Sequence, residues 1–491
     1  SKNEAFIFIE KDGITFDGAG YSITGSGHGT AIYMLRMKNV VIKNFDIQEF
    51  ETGINFWTVQ NWPADSKYTG LPSAYKNQIL NNKISIVGNV FENSIREIGW
   101  CIYLSDATYS IISGNSFTSL DHKGGIYLET STSYTNLLKN TFVGCGIYAL
   151  DSNQTFAQGN TVDGKPLVFL EGYSNQVINE AGQVYLFHCN NIVVDNVRPT
   201  YDYGRTIQLV ETTNSEILNC RGYVSLVNSS KNTIHDNSLL RTIDLCNSSY
   251  NRVFANKIAY SSVCIKLSKS SNFNEIYSNL LSDTRLSLDA DKIHKAGLNT
   301  AGVQLGDPDL GGCQFNKIHD NTIMQHDVGI ECYLSSNNTI TANSISNCKA
   351  GIQLGCSNQN NITQNNVTSC YYGVSIYAAS SGNLFYHNNF VGNQLPCYET
   401  HEATLLSPID SYSSNNAWDN GQEGNYWSNY NATDTNGNGI ADQAYVVFEK
   451  MTDNYPLKAP YSYSASNGGN LFIPIGQDPT VAHPTALPNG N

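Results

Sequence analysis

Short apolar alternations, each closed by a small polar corner, follow one another along most of the chain, and between residues 316 and 390 they fall into strict register. One phrase reads Asn316-Lys-Ile318-His-Asp-Asn321-Thr-Ile323, then Asn338-Thr-Ile340-Thr-Ala-Asn343-Ser-Ile345, Asn360-Asn-Ile362-Thr-Gln-Asn365-Asn-Val367 and Asn383-Leu-Phe385-Tyr-His-Asn388-Asn-Phe390. Its second Asn recurs at a step of 22 or 23 residues, and Gly329-Ile330, Gly351-Ile352 and Gly373-Val374 keep the same step. A fixed period of this length marks a solenoid coil. Strand-period alternation inside each coil predicts an all-β fold, a parallel β-helix of about 22-residue coils with loop insertions and a C-terminal β/loop extension.

The same rhythm is audible earlier. Phe6 to Ile9, Ile14-Thr-Phe16 and Val40 to Ile47 read as the first coils, and the phrase returns around Asn89, Asn115, Asn140, Asn160, Asn237, Asn256 and Asn279. It breaks near 57–78 and 282–312, which are predicted to be insertions. The expected organisation is a β-helix over 1–410, a capping region over 411–460 and an extended tail over 461–491. An Asn at one corner of every coil is suited to a left-handed backbone conformation, and its amide is suited to a ladder between coils.

Composition narrows the partners. Charged residues are 14% and the net charge is −14, so nucleic acid and anionic membranes, which need clustered Lys and Arg, are excluded as expectations. No apolar run is long enough to span a bilayer. Twelve cysteines fall about one per coil without zinc-like spacing, which leaves disulfides or buried thiols. The even count, with Asn-x-Ser/Thr acceptors at Asn153, Asn228, Asn247, Asn337, Asn361, Asn366 and Asn431, points to disulfides, N-linked glycans and an extracellular or cell-surface setting. The start at Ser1 fits a processed mature chain or a trimmed one.

The coils, the opening Ile14-Thr-Phe16-Asp-Gly-Ala-Gly20-Tyr, the block from Gly164 to Val184 and the closing Gly424-Asn-Tyr-Trp-Ser-Asn-Tyr430 resemble NosD-type right-handed β-helix repeat proteins, most closely archaeal surface members. The resemblance implies the fold and an extracellular setting. Periplasmic members are associated with copper delivery, but with four Met and scattered His that role is not carried over.

Three features are candidates for chemistry. Asp434-Thr-Asn436-Gly-Asn438-Gly-Ile440-Ala-Asp442 places oxygen ligands as the first part of a calcium loop does, with Ile440 offering its carbonyl. Tyr445 stands where the bidentate Glu belongs, so weak calcium binding or a plain Asn-Gly turn are the alternatives. Asp106, Asp121, Asp151 and Glu129, with His122 and Lys123, could face one groove as hydrolase carboxylates, or be solvated turn residues. Gly27-His28-Gly29 matches only one short piece of a polygalacturonase motif. Tyr103, Tyr127 and Tyr148 occupy one place in successive coils, as a sugar platform, an assembly face or cross-strand packing.

The ends suggest assembly. The tail carries one strand-like segment with Leu471, Phe472, Ile473 and Ile475, and the first coil offers an unpaired edge at Phe6, Ile7, Phe8 and Ile9. The sequence therefore favours a non-enzymatic, self-assembling surface filament, sheath or adhesin subunit whose partners are further copies of itself. The alternative is a polysaccharide-binding or polysaccharide-degrading β-helix.

Overall fold

The computed structural model describes residues 5–57, 74–87, 99–119, 124–129, 132–149, 156–199, 205–239, 241–259, 261–283, 300–377, 380–400 and 415–462. All regular structure among them is strand. Each typical coil holds a long strand, a corner, a short strand, a second corner and another short strand, as in Val328–Tyr333, Thr339–Thr341 and Ser344–Ser346. Every such strand pairs in parallel with its counterpart one coil away, giving the expected right-handed parallel β-helix. Ile318, Ile340, Ile362 and Phe385 form one fully buried interior row, each side chain contributing about 1.5–3 kcal/mol of transfer free energy.

The solenoid is two stacks joined through one sheet. Thr161–Val162 ends the first stack and turns through Asp163 and Gly164, whose φ of 48° and 77° suit a tight type I′ hairpin. The chain then runs antiparallel as Lys165–Glu171, and the next strand, Gln183–Phe187, pairs with it in parallel. Alternate residues of these strands serve different interiors: Leu167, Phe169, Tyr185 and Phe187 join the first core, whereas Val168, Leu170, Val184 and Leu186 join the second. Strand direction and inner side reverse together, so the hand of the helix is kept. Gln183 and Tyr185 also close the first stack. The Ile147 N–H donates to Gln183 Oε1 (3.0 Å), and its carbonyl accepts from Gln183 Nε2 and Tyr185 Oη (each 2.7 Å).

Buried amides hold the corners. From Asn237 through Asn256, Asn279, Asn321, Asn343, Asn365 and Asn388 to Asn425, each backbone N–H and side-chain Nδ2 donates to the Oδ1 of the next coil's Asn. A second such row runs from Asn232 to Asn416. The left-handed conformation belongs to the residue before the ladder Asn, as at Asp320, Ala342, Gln364 and His387 (φ 53–60°), because the Asn backbone must face inward to pair. The first row ends on Asp453, which accepts from the Asn425 N–H (2.7 Å) and Trp427 Nε1 (2.9 Å) and whose carboxyl burial pushes up to about 6. Trp418 and Trp427 stack on Phe385 and Phe390 at 4.3 and 4.5 Å and cover the last coil.

Disulfides are not formed: all twelve cysteines are free, ten of them buried. Cys101 lies within side-chain hydrogen-bond reach of Cys145, and Cys348 of Cys370, as thiols rather than bridges. The thiols instead fill the interior as small apolar groups, and burial raises Cys220 to about 12 and Cys313 to about 11.

Asn343→Leu is expected to destabilise the protein by about 2–5 kcal/mol, because it strands the Asn321 N–H and the Ile318 carbonyl inside the corner. Thermal melting beside a Lys317→Leu control, at an exposed strand position, checks this; equal melting would show that the ladder is dispensable.

Candidate functional site

In most long strands one residue lies between two inward-pointing apolar neighbours and faces outward. In the second stack these residues are in register across Gln208, Ser225, Asp244, Lys266, Gln304, Glu331, Gln353, Ser375 and Tyr398. A strand periodicity that elsewhere buries isoleucine thus lines up hydrogen-bonding and charged groups on a rigid surface.

Glu331 is the centre of this row. Gln304 Nε2 donates to its Oε2 (3.0 Å) from one neighbouring coil and Gln353 Nε2 to its Oε1 (3.2 Å) from the other. Burial raises its carboxyl above the ordinary range; the two amides and Lys266 pull the other way without cancelling the effect, and Asp307 adds to the rise. Asp307 behaves oppositely. Burial would raise it, but Lys266 Nζ at 2.6 Å and the backbone N–H groups of Asp309 and Leu310 outweigh that and hold it below the usual carboxylate range. One carboxyl is therefore biased towards its acid form and the other towards its anion. Farther along the row, Tyr223 Oη donates to Asp244 Oδ2 at 3.0 Å.

Aromatic surface lies beside the polar row. Tyr333, Gly355 and Tyr377 are in register two residues on, and a Cβ on Gly355 would stand 2.3 Å from the Tyr377 ring. The missing side chain lets Tyr377 lie across the coil, with its centroid 6.3 Å from that of Tyr333. Burial, then Glu331, pushes the Tyr377 hydroxyl well up. Tyr372 and Tyr398 stack at 4.9 Å. Amides, carboxyls and ring faces in one strip form an arrangement suited to a polyhydroxylated ligand.

The residues singled out from sequence lie elsewhere. Asp106 and Glu129 follow long strands of the first stack, while Asp121, His122, Lys123 and Asp151 are outside the described residues. Tyr103, Tyr127 and Tyr148 hold the corresponding outward row there, stacked at 5.0 and 5.4 Å, but Tyr127 is buried and packs against Trp100, also at 5.0 Å. Gly27 and Gly29 form a positive-φ turn around His28. Among the acceptor asparagines Asn228, Asn247 and Asn431 are exposed, Asn337, Asn361 and Asn366 are partly buried, and Asn153 is outside the described residues.

The loop from Asp434 to Asp442 is closed on itself. Asp434 accepts from the N–H groups of Gly437, Asn438 and Gly439, Asn436 Oδ1 from Asn438, and Asn438 Oδ1 from Ile440. Asp442 takes Thr433 and Thr435, and Tyr445 is turned away to stack on Trp427 at 4.8 Å. No group of three or more His, Cys, Asp or Glu among the described residues could hold a metal. The opening edge, Ala5–Ile9, pairs only with Thr30–Leu35 among the described residues and exposes Phe6 and Phe8. Leu471, Phe472, Ile473 and Ile475 lie outside them.

The family model of the periplasmic copper-binding protein NosD matches residues 296–432, which supports the NosD-type β-helix reading for that part of the chain. No curated protein matches. Similar solved structures include the A-module of mannuronan C-5 epimerase AlgE6 from Azotobacter vinelandii, 10% identical over 80% of this chain and 89% of that one with a TM-score of 0.29. The periplasmic alginate epimerase AlgG is 13% identical over 80% and 78%, with a TM-score of 0.27. The Dettilon tailspike protein is 13% identical over 66% and 62%, with a TM-score of 0.34. At such scores these likenesses carry no argument about activity. No helix of the described residues is long and apolar enough to cross a membrane.

A carboxyl raised by folding costs stability once pH climbs past its unfolded value. Glu331→Gln is therefore expected to melt with the wild type at about pH 4 and above it at pH 7, by differential scanning fluorimetry. A variant that melts lower at pH 7 would show that the carboxylate, not the acid, is the form the fold prefers.

Proposed function

We propose that this protein binds a polysaccharide along the outer row of the second stack and acts on its glycosidic bonds. The observation that carries the reading is Glu331 clamped between Gln304 and Gln353, with Lys266–Asp307 on the neighbouring coils. Amide and carboxyl groups at successive coils match the hydroxyls of successive sugars, and Tyr333, Tyr377, Tyr372 and Tyr398 offer apolar surface for ring faces. In the cleavage step Glu331 gives its proton to the glycosidic oxygen as the carbon–oxygen bond breaks. Water adds to the anomeric carbon, and its proton passes to the carboxylate of Asp307. The net charge of −14, with Asp244, Asp307 and Glu331 against Lys266 in the strip, favours a neutral polymer over a uronate. Such a substrate places the protein on the extracytoplasmic side. Head-to-tail assembly, the other reading of the sequence, has only the Ala5–Ile9 edge behind it.

Binding to a panel of neutral and acidic polysaccharides, followed by release of reducing ends, tests the proposal. At least one neutral polymer is expected to bind. Glu331→Ala and Gly355→Ala, the latter displacing Tyr377, should each weaken binding about tenfold or more, about 1.4 kcal/mol. No binding across the panel, or variants indistinguishable from the wild type, would overturn it.

The loop at Asp434 is proposed as a weak calcium site that stiffens the cap, with the side-chain oxygens of Asp434, Asn436, Asn438 and Asp442 and the Ile440 carbonyl as ligands. Lys458, which donates to the Ala432 carbonyl and helps keep Asp442 ionised, competes for the same charge, so affinity should lie in the roughly 10⁻⁴–10⁻³ M range of extracellular modules. Calorimetry should show heat that Asp434→Ala abolishes; no heat at millimolar calcium would mark the loop as a turn only.

A further inference from the structure

Gly355 sits in an outward column of the second stack, in register with Tyr333 of one neighbouring coil and Tyr377 of the other. A Cβ on it would stand 2.3 Å from Tyr377 Cζ and 2.5 Å from both Cε2 and Oη, two of the atoms bonded to Cζ. A point at the rim of the ring, between those two atoms, would be nearer to them than to Cζ. A point over the ring face is nearer to Cζ, and that is the order found. Tyr377 therefore lies flat across the Gly355 coil, one face on the backbone and the other turned outward, and it keeps part of its surface exposed. The first stack uses the same device at Gly124, where a Cβ would run into the ring of Trp100, but that ring is buried beside Tyr127 and Tyr148 at 5.0 and 6.0 Å. Tyr377 is left open.

Polar groups lie at the rim of this platform. Gln353, two residues before Gly355, is within hydrogen-bonding reach of the Tyr377 hydroxyl, and its Nε2 donates to Glu331 Oε1 at 3.2 Å. Tyr333, on the strand of Glu331, continues the apolar floor with its ring centroid 6.3 Å from that of Tyr377. An aromatic face with an amide and a carboxyl at its edge selects a flat partner that is apolar on its faces and polar around its rim. A pyranose with equatorial substituents is such a partner: its axial C–H bonds point at the aromatic face, while its hydroxyls and glycosidic oxygens radiate in its own plane.

We infer that Tyr377 is the specificity-determining platform of the strip, and that it selects neutral chains linked equatorially at both C1 and C4, the β-1,4-linked glucans, xylans and mannans. The inference rests on the polysaccharide reading of the row. With a sugar stacked on Tyr377, an equatorial glycosidic oxygen lies in the sugar plane and leads towards Glu331. An axial one, at C1 in α-linked chains or at C4 in galactans, projects into the platform or away from the carboxyl.

The test is calorimetric titration of the full chain with cello-, xylo- and mannohexaose, with maltohexaose and β-1,4-galactohexaose, and with the corresponding soluble polymers. At least one of the first three series is expected to bind roughly tenfold or more tightly than either axially linked series. Tyr377→Leu removes the flat face, and Gly355→Ala keeps the tyrosine but lifts its ring. Each should lose about tenfold or more in affinity for the preferred series, and the preference with it, whereas Tyr377→Phe should keep the preference. Gly355→Ala carries the readout if Tyr377→Leu fails to fold. Axially linked chains binding as tightly as equatorial ones, or a folded Tyr377→Leu or Gly355→Ala protein that retains the preference, would overturn the platform. Should Glu331→Ala abolish binding while both platform variants leave affinity and preference intact, the polysaccharide reading stands and the platform falls. The same holds if none of these chains binds the wild type but another neutral polymer does. If no neutral polymer binds, both fall together.

Discussion

The structure depends on how a parallel coil satisfies its corners. Strand ladders account for the straight segments, but each turn between them leaves backbone N–H and C=O groups inside a narrow apolar tube, where an unpaired group costs about 1–3 kcal/mol. The side-chain amide of Asn answers this with a single residue type: one oxygen takes two donors from the coil before, and one nitrogen reaches both the next oxygen and a carbonyl of the preceding coil, as Asn343 does. Because every coil repeats the solution, the rows are continuous polar wires through an otherwise hydrocarbon interior. A rigid outer surface follows, on which side chains from different coils hold fixed positions without loops.

That rigidity separates scaffold from chemistry. Inward positions are constrained to Ile, Leu, Val and Cys, while the outward position between them is free to vary, and in the second stack it varies from amide to carboxyl to ammonium to hydroxyl. Gly355 shows how tightly the arrangement is tuned, since one added carbon would evict the Tyr377 ring. The pairing of a raised Glu331 with a depressed Asp307 likewise needs no unusual group, only burial for one and a lysine for the other.

The coils were legible in the sequence because their signature is repetition. The Asn ladder, the alternating interior and the breaks in rhythm all follow from period and composition. The candidate row was not legible for the opposite reason: it lies where the repeat stops agreeing with itself, so recurrence picks out Tyr103, Tyr127 and Tyr148 and passes over Asp244, Lys266 and Glu331 at the same position. Comparing that one position across all coils would have shown it. Asp163-Gly164 was also present as a strong hairpin signal, hidden because the strands on both sides look like ordinary coils. The cysteines misled because an even count does not distinguish bridged thiols from buried apolar ones, and here all twelve are free, ten of them buried.

The hairpin at Asp163 and Gly164 makes one sheet the common wall of two tubes. Length and closure thereby become independent variables. Duplication or loss of a single coil far from the junction lengthens or shortens the outer row by one step without disturbing the shared sheet, much as beads are added to the open end of a string.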